Sequence, residues 1–407
     1  MPINSLYISY DGMTDPLGQS QVIPYLIGLT KNGYHISLIS CEKAENFALY
    51  QSKIATLLSE NNIQWHPISY TKKPPILSTL YDVYRIKKLA TQLHHKQHFS
   101  IIHCRSYIAA LVGLQLKKKL GLKFIFDMRG FWANERVDGN IWHLNNPIYK
   151  LVFNYFKKKE IEFLENADYT ISLTHNAKEE ILSWKNIKNN PIKIEVIPCC
   201  VDLQLFNKTQ IQQEKLYTLQ NELQIRQGDY VLLYLGSIGT WYMLDEMMEF
   251  FSVLKQKKEH AKFLFVTKEE HVRIKQTAAK YRVEDAIIIR PGIREEIPYL
   301  IALCQLSIFF ILPSYSKKAS SPTKQGELMA MGIPIVCNTN VGDTDKVVID
   351  FKSGILVNAF TQAEYINAIE QIDNKFDTAQ IIKGAHDYFS LEKGVEKYVS
   401  VYKNITQ

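Results

Sequence analysis

No stretch of this sequence is long and apolar enough to cross a bilayer as a helix. The most apolar run, Leu300 to Pro313, is interrupted by Gln305 and Ser307 and falls short of the roughly 20 residues such a span needs. The opening MPINSLYISYDG has no basic stretch and too short an apolar run for a secretory leader. The six cysteines, at 41, 104, 199, 200, 304 and 337, form no C-x-x-C pair and no metal-ligand spacing. That predicts a reduced, cytoplasmic setting in which they serve packing. No G-x-G-x-x-G follows the first apolar strand, which argues against a nicotinamide oxidoreductase, and no Ser, His and Asp set emerges from spacing. Short-period repeats and low-complexity segments are also missing.

What is present is ordinary globular composition over 407 residues, 46% hydrophobic and 22% charged, enough for two domains of about 150 to 200 residues. The net charge of +7 is unevenly placed: residues 1–200 carry 24 Lys and Arg against 16 Asp and Glu, whereas residues 201–407 carry 24 against 25. The basic half includes Lys117-Lys118-Lys119 and the run YKLVFNYFKKK (149–159), where aromatic and apolar residues adjoin three lysines. Such a run suits an anionic membrane surface or an anionic substrate, and equally a solvated helix face. Basic and aromatic residues are not interleaved on a nucleic-acid module, so nucleic acid is not expected as a partner.

Short β-branched or aromatic runs alternate with longer amphipathic ones. SLYISY, HISLIS, IQWHPISY, SIIHCRS, KFIFDMRG, YTISLT and KIEVIPCC form one series, and YVLLYLGS, KFLFVTKE, AIIIRPGI, LSIFFILP and IPIVCN a second. Strands separated by helices predict right-handed βαβ units and a parallel sheet in each domain. The predicted domains are residues 1–200 and 201–390, with 201–228 read as a polar linker and helix and 391–407 as a helix returning to the first domain. Two doubly wound domains are expected to face each other across a cleft, with strand carboxyl ends and helix amino ends toward an anionic ligand.

SSPTKQGELMAMGIPIV (320–336) follows a second-series strand and opens a helix. Ser320, Ser321 and Thr323 offer hydroxyls, Lys324 a point charge, and Glu327 a carboxylate able to accept from the vicinal hydroxyls of a ribose. A plain helix cap is the alternative reading. FIFDMRGFWANERVDGNIW (124–142) crowds Asp127, Arg129, Trp132, Glu135, Arg136 and Asp138 after another strand, and His103 and Arg105 end its neighbour. These can orient sugar hydroxyls, with Trp132 or Trp142 stacking on a pyranose ring, or form a loop stapled by Asp–Arg pairs. Asp343-Thr344-Asp345 matches the D-x-D pattern of metal-bound diphosphates but is read as a solvated turn.

SSPTKQGELMAMGIPIV resembles the donor-binding loop and helix of the family 4 retaining glycosyltransferases. IEVIPCCVDLQLF (194–206) resembles their interdomain segment, and Gly18, Gly33-Tyr34-His35, ENADYTISLT and Phe389-Ser390-Leu391-Glu392 agree in order over nearly the whole chain. The resemblance implies the GT-B fold of two Rossmann-like domains, the first binding an acceptor and the second a nucleotide-sugar donor. Donor-binding residues would be Gly18, Gly236, Ser237, Ser320, Ser321, Thr323, Lys324 and Glu327, and acceptor-binding residues Arg105, Arg129, Trp132, Glu135 and Arg136. His103, Asp127, Lys324 and Glu327 are the catalytic candidates.

Two departures stand out. Ala319 occupies the place of the family's first loop glutamate, and YLGSIGTWYMLDE (234–246) lacks the arginine and lysine that many members present to the diphosphate, so Lys324 is expected to supply part of that charge. The implied reaction is retaining transfer of a hexosyl group to a saccharide or lipid-linked glycan, as in surface polysaccharide or glycoconjugate biosynthesis. No cofactor or metal is expected, and contact with an anionic cytoplasmic membrane face is. A nucleotide-sugar epimerase of the same fold and a catalytically silent nucleotide-sugar-binding scaffold stay open as alternatives.

Overall fold

A computed structural model describes residues 3–269, 271–373 and 376–407. The chain forms two compact units, Met1–Pro198 with Leu391–Gln407, and Cys199–Ser390. In the first, strands β1 (Ile3–Ser9), β2 (Tyr34–Glu42), β3 (Ile63–Ser69), β4 (Ile101–Arg105), β5 (Lys123–Asp127), β6 (Tyr169–Ser172) and β7 (Ile194–Val196) make a parallel sheet in the order β3-β2-β1-β4-β5-β6-β7. In the second, β8 (Tyr230–Leu235), β9 (Ala261–Val266), β10 (Ile287–Arg290), β11 (Leu306–Phe309), β12 (Ile335–Asn338) and β13 (Gly354–Val357) are ordered β10-β9-β8-β11-β12-β13. The central strands β8 and β11 are near-continuous apolar runs, as sheets covered by helices on both faces require. The strand order reverses between β1 and β4 and between β8 and β11. Ligands of parallel α/β sheets bind at such reversals, outside the carboxyl ends of the strands.

The C-terminal helix, Leu391–Thr406, belongs to the first unit and packs on the Ile23–Lys31 helix. Gly28 permits that approach, because a Cβ there would lie 2.4 Å from a Val395 methyl. The segment after residue 200 differs from a free linker. Val201, Phe206, Leu219 and Ile225 are buried in the core of the second unit, and the Val201 amide donates to the Phe389 carbonyl at 2.8 Å. Most of its apolar residues are spaced to meet the same core, Tyr217 being exposed.

Gly332 and Gly354 explain the break and restart after residue 330. The Thr323–Ala330 helix ends with Gly332 at φ 72°, while Ile333 N–H donates to Leu328 C=O at 3.0 Å and Gly332 N–H to Met329 C=O at 2.9 Å. That pair of bonds is the Schellman ending, which satisfies orphan carbonyls and needs a residue tolerant of positive φ. Gly354 pairs with Ile335 across β12 and β13, and a Cβ on it would stand 1.9 Å from the Ile335 carbonyl oxygen. Gly354→Ala is therefore expected to cost about 2 to 3 kcal/mol. Thermal unfolding checks this against Gly239→Ala, where a Cβ meets nothing within 4 Å, and an equal melting temperature for the two variants would refute it.

Candidate functional site

In the second unit the polar loop and helix after β11 meet the loop after β8. Leu312 N–H donates to the Trp241 carbonyl at 2.8 Å, and Met243 N–H to the Phe310 carbonyl at 3.0 Å, so the two loops are stitched together at the strand-order reversal. Lys324, in the first turn of the Thr323–Ala330 helix, points into that seam. Its ammonium lies 4.3 Å from the ring centre of Tyr234 and 3.9 Å from that of Tyr242. A Cβ on Gly236, whose φ is 116°, would sit 3.3 Å from Nζ. Among the described residues Lys324 Nζ has no hydrogen-bond partner. Burial pushes its pKa down to about 7, against the opposing pull of Glu327.

Glu327 is buried one turn further along, with Oε1 3.4 Å from Arg294 Nη1. Burial raises its pKa to about 7 although Arg294 and Lys324 work to lower it. Arg294 comes from the loop after β10 and lies over the Phe206 ring at 5.5 Å. Beside this group Lys317 is buried with its ammonium 3.6 Å from the centre of the Trp241 ring. An ammonium held on aromatic faces keeps part of its stabilisation through the ring quadrupole, and for Lys324 the hydrogen-bonding capacity is unmet among the described residues. The site is thus a cationic seam lined by aromatic rings, with a carboxylate one helical turn away.

The other expected donor residues are partly placed there. Ser320, Ser321 and Thr323 are half-buried, and the helix begins at Pro322 without any side-chain cap, so a capping box does not account for this sequence. Ser321 Oγ accepts the Cys199 N–H at 3.1 Å. Ser237 is exposed, and its carbonyl takes the Tyr234 hydroxyl. Gly18 belongs to the other unit, where a Cβ would fall 2.2 Å from the Gly12 carbonyl oxygen, so close packing under the Gly12–Met13 turn accounts for it. Asp343 corrects the solvated-turn reading: it is buried and accepts the Tyr388 hydroxyl at 2.7 Å, because the neighbouring helix Thr378–Tyr388 folds over it.

In the first unit His103 and Asp127 are both buried beneath the C-terminal helix, and neither lines a surface. Tyr402 OH and His103 Nδ1 are 2.9 Å apart, and Tyr398 OH donates to Asp127 Oδ2 at 3.1 Å. His103 Nε2 stands 3.8 Å from the same oxygen, too long for a hydrogen bond. Burial holds the His103 pKa low, favouring neutral imidazole. Burial works to raise that of Asp127, but Arg129, His103 and Arg105 outweigh it and keep the carboxylate ionised. This geometry gives His103 and Asp127 a positioning place, in contrast to the expected catalytic contact. Arg105 is buried with Nε 3.4 Å from Asp11, and Arg129, at φ 58°, sits 3.8 Å from Asp127 Oδ1. Asp11 carries the network outward, since its side chain is half-exposed, whereas that of Arg129 is nearly buried.

Trp132 does not offer a free face to a sugar ring. It stacks on Tyr107 with 26° between planes, and the Arg136 guanidinium lies over it at 5.0 Å. Glu135 and Arg136 are half-buried on the same short helix, Trp132–Asp138. Glu42 is a residue that sequence reasoning missed. Buried at the end of β2, it accepts N–H bonds from Met13 at 2.7 Å and Thr14 at 3.1 Å, fixing the turn after β1. Tyr234, Tyr242, Arg294 and Lys317 were missed as well; Tyr234 lies next to the end of β8 and the other three in loops that follow strands, which was the one available signal.

The folded pKa of Lys324 lies below the free-lysine value of 10.5. The cost of the charge is therefore present below pH 7 and is relieved as pH climbs from about 7 toward the free value. Glu327 runs the other way: its neutral form stabilises the fold below its ordinary pKa of 4.5, and that contribution is lost as pH rises through about 7. Lys324→Met should then melt higher than wild type at pH 6 in the absence of ligand, and should lose the melting-temperature rise that nucleoside diphosphates give the wild type. Wild-type affinity for a nucleoside diphosphate should peak near pH 7, because the ammonium and the carboxylate are both charged in that window alone. Calorimetric titration across pH checks this, and a flat profile would remove Lys324 from the site.

Comparisons with known proteins bear on the family and the fold. A family model described as glycosyl transferases group 1 matches residues 218–385, and one described as Glycosyltransferase Family 4 matches residues 22–205. An alpha-monoglucosyldiacylglycerol synthase of Streptococcus pneumoniae is 20% identical over 236 residues, 54% of this chain and 50% of that protein. The chain thus spans 50% of the length of the curated relative it matches. A glycosyltransferase structure from Rickettsia africae superposes with a TM-score of 0.72 at 17% identity, over 100% of this chain and 99% of that one. Anabaena HepE, solved with UDP and glucose, gives 0.71 at 13% identity, over 98% and 99% of the two chains. At these identities the structural likeness speaks for the fold.

Proposed function

The chain belongs to the family 4 glycosyltransferases, of GT-B architecture, and from that premise we propose that it transfers a hexosyl group, with retention, from a nucleoside-diphosphate sugar to a saccharide or lipid-linked glycan. The donor is assigned to the Cys199–Ser390 unit and the acceptor to the Met1–Pro198 unit. The observation that carries the reading is Lys324, a buried ammonium without a hydrogen-bond partner among the described residues, at the β8/β11 reversal and in the first turn of a helix that has no side-chain cap.

In the proposed reaction the bond between the anomeric carbon and the diphosphate oxygen breaks, and its electron pair leaves with the diphosphate. Lys324 and the amino end of the Thr323–Ala330 helix stabilise that growing negative charge in place, with little reorganisation. Glu327 accepts from the ribose hydroxyls and so sets the distance between nucleotide and reacting carbon. The acceptor hydroxyl attacks the face the diphosphate is leaving, and its proton passes to the departing phosphate oxygen. Asp11, the outward end of the network that runs through Arg105 to Asp127, is suited to hold acceptor hydroxyls. Relatives and neighbours include proteins that handle glucose and UDP, which makes UDP-glucose the first donor to assay.

Glu327→Gln should fold and melt normally yet lose about ten- to a hundredfold in kcat/KM for transfer, since an amide accepts less strongly than a carboxylate. Unchanged kcat/KM would remove the ribose role. Product analysis with donor alone separates transfer from epimerisation, and binding with neither reaction would favour a scaffold. Transfer should also persist in excess EDTA, because the reading places fixed cations where a metal would otherwise sit. Loss on chelation, restored by Mn²⁺ or Mg²⁺, would overturn the metal-free form of the mechanism.

A further inference from the structure

We propose that the outward faces of the Leu77–Gln97 and Pro147–Asn166 helices dock the first unit onto an anionic lipid bilayer. This deepens the reading of a lipid-linked acceptor, but the docking itself is measurable without any sugar. The Leu77–Gln97 helix has its polarity arranged the wrong way round for a surface helix. Leu77, Leu80, Tyr81 and Tyr84 stand on one side, since residues turn by about 100° each, and they are 64%, 57%, 54% and 61% exposed. The face turned to the protein carries Ser78 and Asp82 beside Ile86, Ala90 and Leu93. Amphipathic helices of globular proteins ordinarily bury the apolar stripe.

The Pro147–Asn166 helix repeats the pattern in its first turns, where Ile148, Leu151 and Tyr155 share one exposed stripe and Leu151 reaches 72%. Both helices precede strands of one parallel sheet, β4 and β6, so both begin at the same edge, that of the strand carboxyl ends. Right-handed crossovers put them on the same face of the sheet, and the Ser106–Leu120 helix packs against each of them. The two stripes therefore flank one helix at one end of the unit.

Charge selects the occupant. Residues 70–91 and 139–159 contain a single acid, Asp82. It is buried and accepts from Tyr10, from the Thr71 amide at 3.0 Å and from the Thr71 hydroxyl at 2.8 Å. Exposed lysines at 72, 73, 88, 150 and 158 accompany the stripes. A second copy of the chain would set these like charges against each other, whereas anionic headgroups pair with them while leucines enter the acyl boundary and tyrosines lie at headgroup depth. The triple lysine at 157–159 is partly engaged within its own helix and neighbours. Lys157 is bound to Glu160 and Asn134, and Lys159 lies 2.7 Å from Glu162, which leaves Lys158 exposed.

The test is flotation of the full chain with phosphatidylglycerol–phosphatidylcholine vesicles and with phosphatidylcholine vesicles at low and high salt. Wild type should float with the anionic vesicles at low salt and separate from them at high salt. The combined variant Leu77→Ser, Leu80→Ser and Tyr84→Ser should lose about tenfold in partitioning, while its melting temperature and nucleoside-diphosphate binding stay unchanged. Lys157→Glu alone should float like wild type. Failure of the wild type to float, or flotation of the triple variant at the wild-type level, overturns the proposal. So does light scattering that shows a dimer dispersed by the same three substitutions, which would make the face a self-association surface. Because no sugar is present, these outcomes are independent of whether transfer is detected.

Discussion

Within each sheet every strand runs the same way, and most of what this protein can do follows from that constraint. Parallel strands need crossover helices, so each strand's carboxyl end and the following helix's amino end fall on one edge of the sheet. Backbone amides that a helix cannot satisfy internally collect there with the polar loops. At the β8/β11 reversal the edge holds Lys324, Lys317 and Glu327. At the β1/β4 reversal it holds Asp11, Arg105 and the turn fixed by Glu42. One topological rule thus places both polar clusters, although the side chains that fill them differ in sign and in depth.

The two clusters store charge differently. In the first unit the buried carboxylate of Asp127 has two guanidinium groups within 4 Å and accepts a tyrosine hydroxyl, so its charge is answered by opposite charge, while its Oδ1 has no hydrogen-bond partner among the described residues. In the second, Lys324 is surrounded by Tyr234, Tyr242 and Phe309 and has no hydrogen-bond acceptor among the described residues. A charge desolvated in this way raises the free energy of the empty site and increases the gain when an anion arrives. The same chemistry accounts for the depressed pKa of Lys324 and the raised pKa of Glu327, since burial is the leading cause of both.

The C-terminal helix ties a sequence feature to a distant one. Tyr398 and Tyr402 recur at a spacing of one helical turn and reach Asp127 and His103, residues nearly three hundred positions earlier. Their hydroxyls close the network that crowded polar residues after β5 had suggested was open. Burial under this helix, rather than any change in the residues themselves, is what moves His103 and Asp127 from a surface role to an internal one.

Alternating apolar runs and amphipathic spacers were sufficient by themselves to predict two parallel α/β domains, because the strand and helix periods are local properties of the chain. The loop SSPTKQGELMAMG was legible for a similar reason: a proline start, a charged first turn and a Gly332 ending are all written within thirteen residues. Pairings across the sheet were not legible. That Tyr234 and Tyr242 would enclose Lys324, that Arg294 would reach Glu327, and that Trp132 would be spent on Tyr107 and Arg136 depends on which strands become neighbours. Exposure is decided at the same level. The spacing of Leu77, Leu80 and Tyr84 alone does not tell a buried helix face from an exposed one, and the packing of the opposite face around Asp82 turns them outward. Local pattern thus determined the elements and the loop chemistry, whereas partner choice and solvent contact, being properties of residues far apart in the chain, were settled by the tertiary structure.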